Sequence, residues 1–85
     1  MGNLTKLPNI GKVIEGLLTE TGVTSSQDLI SIGSKEAFLR IKSIDSSACI
    51  RMLYALEGAI RGVKDTELPA DVKEELKDFY RFLEK

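Results

Sequence analysis

Apolar residues at Ile10, Val13, Ile14, Leu17 and Leu18 recur every three or four positions, which places them on one stripe of a helix. Asn9 stands ahead of them as the expected N-cap, and Gly22 behind them as the expected stop. A second, short helix is expected from Ser25 or Ser26 through Leu29 and Ile30 to Gly33. Ser34 is then placed to cap a third, with Ala37, Phe38 and Ile41 facing inward. A longer apolar series opens at Ser46 or Ser47 and runs through Cys49, Met52, Leu53, Leu56, Ile60 and Val63, which puts Cys49 in the core. Pro69 suits the first turn of a fifth helix, because its missing N–H leaves no helical bond unmade there. Val72, Leu76, Phe79 and Leu83 form the stripe of that helix, and Tyr80 and Phe82 fall off it. No segment alternates apolar and polar residues long enough to be a strand. The expected fold is all-α, five short helices in a compact bundle, with residues 1–85 forming one domain.

Composition agrees with a folded domain: 85 residues, 42% hydrophobic and 29% charged. No apolar run approaches the ~20 residues that span a bilayer, so a membrane partner is not expected. Cys49 is the single cysteine, which excludes an internal disulfide. The opening Met1-Gly2-Asn3-Leu4 also lacks the basic start and apolar stretch of a secretion signal. Both features point to a reducing, cytoplasmic setting. Net charge is −1, unevenly placed. Residues 1–64 carry eight Lys/Arg against six Asp/Glu, and residues 65–85 carry four against seven. A mildly basic body is therefore followed by an acidic tail.

The chemistry-bearing residue types argue against catalysis. The chain has no histidine, which removes the commonest general base and metal ligand, and one cysteine cannot build a thiolate zinc site. No glycine-rich phosphate loop of the nucleotide-binding kinds occurs. Asp71, Glu74, Glu75 and Asp78 are spaced as a solvated helix face. Neither catalytic residues nor a cofactor or metal site are expected.

Two strings suggest binding instead. Leu7-Pro8-Asn9-Ile10-Gly11-Lys12 sits at a helix start, where the amides of Ile10, Gly11 and Lys12 lack intrahelical partners. Free amides with the helix dipole behind them favour an anion, and a lysine adds a point charge. Ile32-Gly33-Ser34-Lys35 repeats the Ile-Gly arrangement between two helical segments, so residues 26–43 outline a helix, a tight turn and a helix. Ile10, Gly11, Lys12, Gly33, Ser34 and Lys35 are thus candidates to meet phosphates of a nucleic-acid backbone without reading sequence, aided by Lys6 and Lys42. An Asn9 cap and a Gly33 stop explain the same residues without any ligand.

The second kind of candidate is a surface for protein. Ala55, Gly58, Ala59 and Gly62 recur at three- and four-residue spacing and make a groove of small side chains. Packing within the chain is the default explanation, and a homodimer contact or a regulatory protein partner, with Tyr80 and Phe82 added, is the alternative. Glu57 and Arg61 are four residues apart in the favourable order and support the helix.

The order of these strings resembles the C-terminal domain of the TfoX/Sxy competence regulators. The resemblance runs from Leu7-Pro8-Asn9-Ile10-Gly11-Lys12 through Thr21-Gly22-Val23-Thr24, Asp28-Leu29 and Ile32-Gly33-Ser34 to Phe38. It continues through Leu53-Tyr54-Ala55-Leu56-Glu57-Gly58-Ala59-Ile60, its most specific part, and Leu68-Pro69. What it implies is a helix-hairpin-helix-like (SAM-like) helical architecture and a bacterial, non-enzymatic regulatory domain tied to expression of DNA-uptake genes, here as a standalone copy. Two departures stand out: Asn9 occupies the position of the hairpin glycine, and too few residues precede Leu7 for a full preceding helix.

Overall fold

The computed structural model describes residues 3–83. Four α-helices make up most of it: α1 (Lys12–Glu20), α2 (Ser26–Ile44), α3 (Ile50–Arg61) and α4 (Ala70–Leu83). Two single 3-10 turns, Leu4–Lys6 and Asp65–Glu67, precede α1 and α4. The count is four rather than the expected five. The segments on either side of Gly33 run on as one element, broken at a single residue with φ 85° and ψ 165°. Only glycine occupies that region of backbone space at low cost.

Capping residues set the helix ends. α1 ends where Gly22 takes φ 95° and the amide of Val23 reaches back to the carbonyl of Leu18. α3 ends the same way, with Gly62 at φ 77° and Val63 donating to Gly58. The Ser25 hydroxyl accepts from the amide of Asp28 and caps α2, while the Asp28 carboxylate returns to Thr24. Two expected caps and one expected helix start are corrected. Gly11, not Asn9, is the N-cap of α1; Cys49, not Ser46 or Ser47, is that of α3; and the Ser34 hydroxyl caps nothing. Ser47 instead closes the loop onto Asp45, which delays the helix until Cys49. Cys49 is consequently exposed rather than in the core, and Ala48 fills the buried position.

The core runs the length of the chain. Phe38, Leu4, Leu18, Leu29, Ile41, Leu53 and Leu56 are fully buried, with Val23 beside them. α2 packs chiefly on α3, and α4 lies across α3, burying Leu76 with Val72, Phe79, Tyr80 and Leu83 partly covered. Tyr80, expected off the stripe, meets the Phe38 ring at 6.0 Å between centroids. The Cα radius of gyration is 11.8 Å, close to the ~12 Å of a fully collapsed chain of this length. Among the described residues no helix is long and apolar enough to cross a membrane.

Candidate functional site

The two Ile-Gly strings fold into different surroundings. At the first, a single 3-10 turn with buried Leu4 leads through Pro8 to Asn9, whose φ is 70°. Asparagine is among the few residues that tolerate this left-handed region. Its side-chain amide donates to the carbonyl of Val63 at 3.0 Å and of Ala55 at 3.3 Å, and its oxygen accepts from the amide of Asp65 at 3.2 Å. Asn9 is therefore a tether from the entry of α1 to the exit of α3, not a helix cap.

Gly58 receives that tether. A β-carbon there would lie 2.6 Å from Nδ2 of Asn9 and 2.7 Å from the carbonyl of Val63. The glycine inside a helix, which costs about 1 kcal/mol relative to alanine, thus admits a side chain from 49 residues earlier (58 − 9). Ala55, Gly58 and Ala59 are all buried within this chain, so most of the small-residue groove is filled by the protein itself. Gly62, the fourth member, is exposed and serves as the left-handed helix end.

Beyond Asn9 the first turn opens. Ile10 points into the core, whereas Gly11, Lys12 and Val13 are exposed. Gly11 is extended, no side chain caps α1, and a β-carbon at Gly11 would meet nothing within 4 Å. Lys6 and Lys12 are exposed and make no ion pair among the described residues. Glu15 shares the first helical turn and opposes an anion there.

At the second turn the polar side chains are engaged by the protein's own groups. Ser34 is buried, and its hydroxyl donates to Glu57 at 2.5 Å. Arg61 donates to the other oxygen of Glu57 at 2.5 Å, the expected four-residue pair. Burial of Glu57 raises its pKa, but the bonds from Ser34 and Arg61 outweigh that and hold the carboxyl below its ordinary value. Lys35 donates to Glu75 of α4 at 2.6 Å and sits 5.5 Å from the centre of the Phe79 ring. Lys42 is engaged as well, donating to the carbonyls of Ser46 and Ala48 and lying over Tyr80. Of the sequence candidates, Gly11 and Lys12 lie together at an open surface, Ser34 is buried between α2 and α3, Gly33 has open space around it, and Lys35 is held in an exposed pair with Glu75 of α4. Tyr80 is half-buried, while Phe82 is 72% exposed.

The model of the TfoX C-terminal domain matches residues 1–80. The chain belongs to that family. Protein Sxy of Escherichia coli is 33% identical over 76 residues, and the match takes in 89% of this chain but only 36% of Sxy, about a third of that protein's length. Among solved structures, an uncharacterized protein from Listeria monocytogenes in its triclinic crystal form is 51% identical, with a TM-score of 0.94 over 95% of this chain and 92% of the other. A tetragonal form of a Listeria monocytogenes protein of unknown function gives 51% identity and a TM-score of 0.93, covering 95% and 99% of the two chains.

Proposed function

We propose that this chain is a non-enzymatic regulatory domain that holds nucleic-acid backbone at its first Ile-Gly turn. The observation that carries this reading is the contrast between the turns: at the first, Gly11 and Lys12 are exposed and Lys12 makes no ion pair among the described residues, whereas at the second Ser34 is buried against Glu57 and Lys35 is paired with Glu75. The uncapped amides of α1 and the charge of Lys12 suit one phosphate oxygen, with Lys6 nearby in the chain. Glu15 and the net charge of −1 keep the interaction weak and dependent on ionic strength. The family supports the regulatory setting, and the absence of histidine supports a domain that binds without catalysing.

Fluorescence anisotropy with labelled duplex and single-stranded DNA at low and physiological salt tests it. Wild-type affinity is expected to fall as salt rises, with a log–log slope of about −0.9 per phosphate contact. A Gly11→Glu/Lys12→Glu variant is expected to lose that binding while keeping its helicity. Binding that ignores salt, or that survives the double substitution, defeats the proposal.

The large exposure of Phe82 favours a second reading, a protein-docking surface on α4. In that case Phe82→Glu abolishes a dimer or a complex and leaves helicity intact. A monomer by light scattering at high concentration argues against self-association.

A further inference from the structure

We infer that Asn9 is the positioning residue of the first turn, and that Gly58 is the receiving position that makes it one. The inference rests on the proposed backbone-binding reading and assigns what holds that site in shape. A turn flanked by two full helices is held from both sides. The described residues just before this one form the three-residue 3-10 turn Leu4–Lys6, held by buried Leu4 and by Asn3, whose side-chain oxygen accepts from the amide of Ser26, and a further anchor comes from the turn itself. Asn9 supplies it by reaching across the fold.

The fit is close to the capacity of the side chain. An asparagine amide has two N–H donors and one oxygen. Both donors point to carbonyls, of Ala55 and Val63, and the oxygen accepts from Asp65. These three partners lie on three successive features: the last turns of α3, the residue after its left-handed end, and the first residue of the 3-10 turn at 65–67. The acceptors are backbone groups, so their positions are fixed by the helix end and not by a movable side chain. The same residue also sets its own φ at 70°, which turns the chain so that Ile10 enters the core and Gly11 faces outward. Glycine at position 9 permits that φ but leaves it free to vary. Asparagine permits it and locks it.

Gly58 is the other half of the lock. Alanine at 58 places a β-carbon within contact of both Nδ2 of Asn9 and the Val63 carbonyl, and the second of these is backbone that cannot swing aside. The tether is thus written in two positions far apart in sequence, and neither carries a charge that would itself bind phosphate.

The test separates positioning from stability. Asn9→Gly and Gly58→Ala are compared with wild type by anisotropy on a labelled DNA duplex across a salt series, at a temperature where circular dichroism shows every variant fully folded. Leu83→Ala, at the far end of α4, serves as a destabilised control. The expected result is a loss of about fivefold in low-salt affinity for both variants, the scale of a displaced helix-terminus contact. A slope shallower by about 0.9 should accompany it, with neither change in Leu83→Ala. Wild-type binding with unchanged affinity and slope in Asn9→Gly overturns the positioning role and leaves the binding reading intact. An equal loss in Leu83→Ala assigns the effect to stability and overturns it too. No salt-sensitive binding by the wild type removes the underlying reading and this inference with it.

Discussion

The two Ile-Gly turns share a local sequence pattern and have opposite fates. At residues 10–12 the side chain that fixes the turn comes from one residue upstream, Asn9, and faces away from the glycine, so the outer surface stays open. At residues 32–35 the fixing groups are the serine and lysine of the string itself, drawn to Glu57 and Glu75. A motif's polar residues are available to a ligand only when something else carries the fold at that point.

That contrast assigns different consequences to equivalent changes. The largest is expected at Gly33, where a β-branched side chain must adopt φ 85° and ψ 165°. Gly33→Val should lose roughly 3 kcal/mol of unfolding free energy in urea. Gly11→Ala, at φ −94° with open space around it, should stay within about 0.5 kcal/mol. Similar losses at both glycines would erase the distinction.

Next in size is Ser34→Ala, which removes a hydrogen bond to a charged, half-covered carboxylate and should cost about 1.5 kcal/mol near neutral pH. The folded pKa of Glu57 is depressed, so its contribution is complete above the ordinary value of 4.5 and is lost as pH falls through the folded value. The stability gap between wild type and Ser34→Ala should therefore narrow below about pH 4.5. A gap that stays constant down to acid pH would remove Glu57 from the account.

The smallest effect belongs to Lys35 and Glu75, an exposed pair whose side chains are 40% and 66% accessible. Glu75→Gln should change stability by about 0.2–1 kcal/mol. If the first turn alone meets nucleic-acid backbone, as proposed, Lys35→Glu should leave the salt slope of DNA binding unchanged. A slope shallower by about 0.9 would show that both turns bind.

Most of the helical scaffold could be read from the chain because its determinants are local. The period of Ile14, Leu17 and Leu18, the stop at Gly22 and the cap at Ser25 each act over a few residues. At Asn9 and Ser34 the expectation fails because the partner lies far away in sequence. Asn9 precedes an apolar stripe and carries a capping side chain, yet its partners are 46 to 56 residues on, and no short window contains them. Ser34 was drawn away from its cap by Glu57 for the same reason. Cys49 fits the periodic series but begins its helix, because Asp45 and Ser47 consume the preceding residues in a loop. At the candidate site, the open turn at Gly11 and Lys12 was readable as a helix start. Its difference from the second turn was not, since that depends on which long-range acceptors are already occupied. One signal did exist: a glycine inside the helical pattern at 58 asks for a close neighbour, though not which one.

The tether at Asn9 also bears on the order in which the molecule assembles. Its bonds close loops of about fifty residues, and the entropy of such closure must be met before the bonds return anything. Helices and their immediate neighbours form on local contacts, so these three bonds belong to the last part of the folding reaction. A group that joins after the transition state slows escape from the native state and leaves the rate of entry nearly untouched. Asn9 therefore sets how long a folded molecule lasts between openings far more than how quickly it folds.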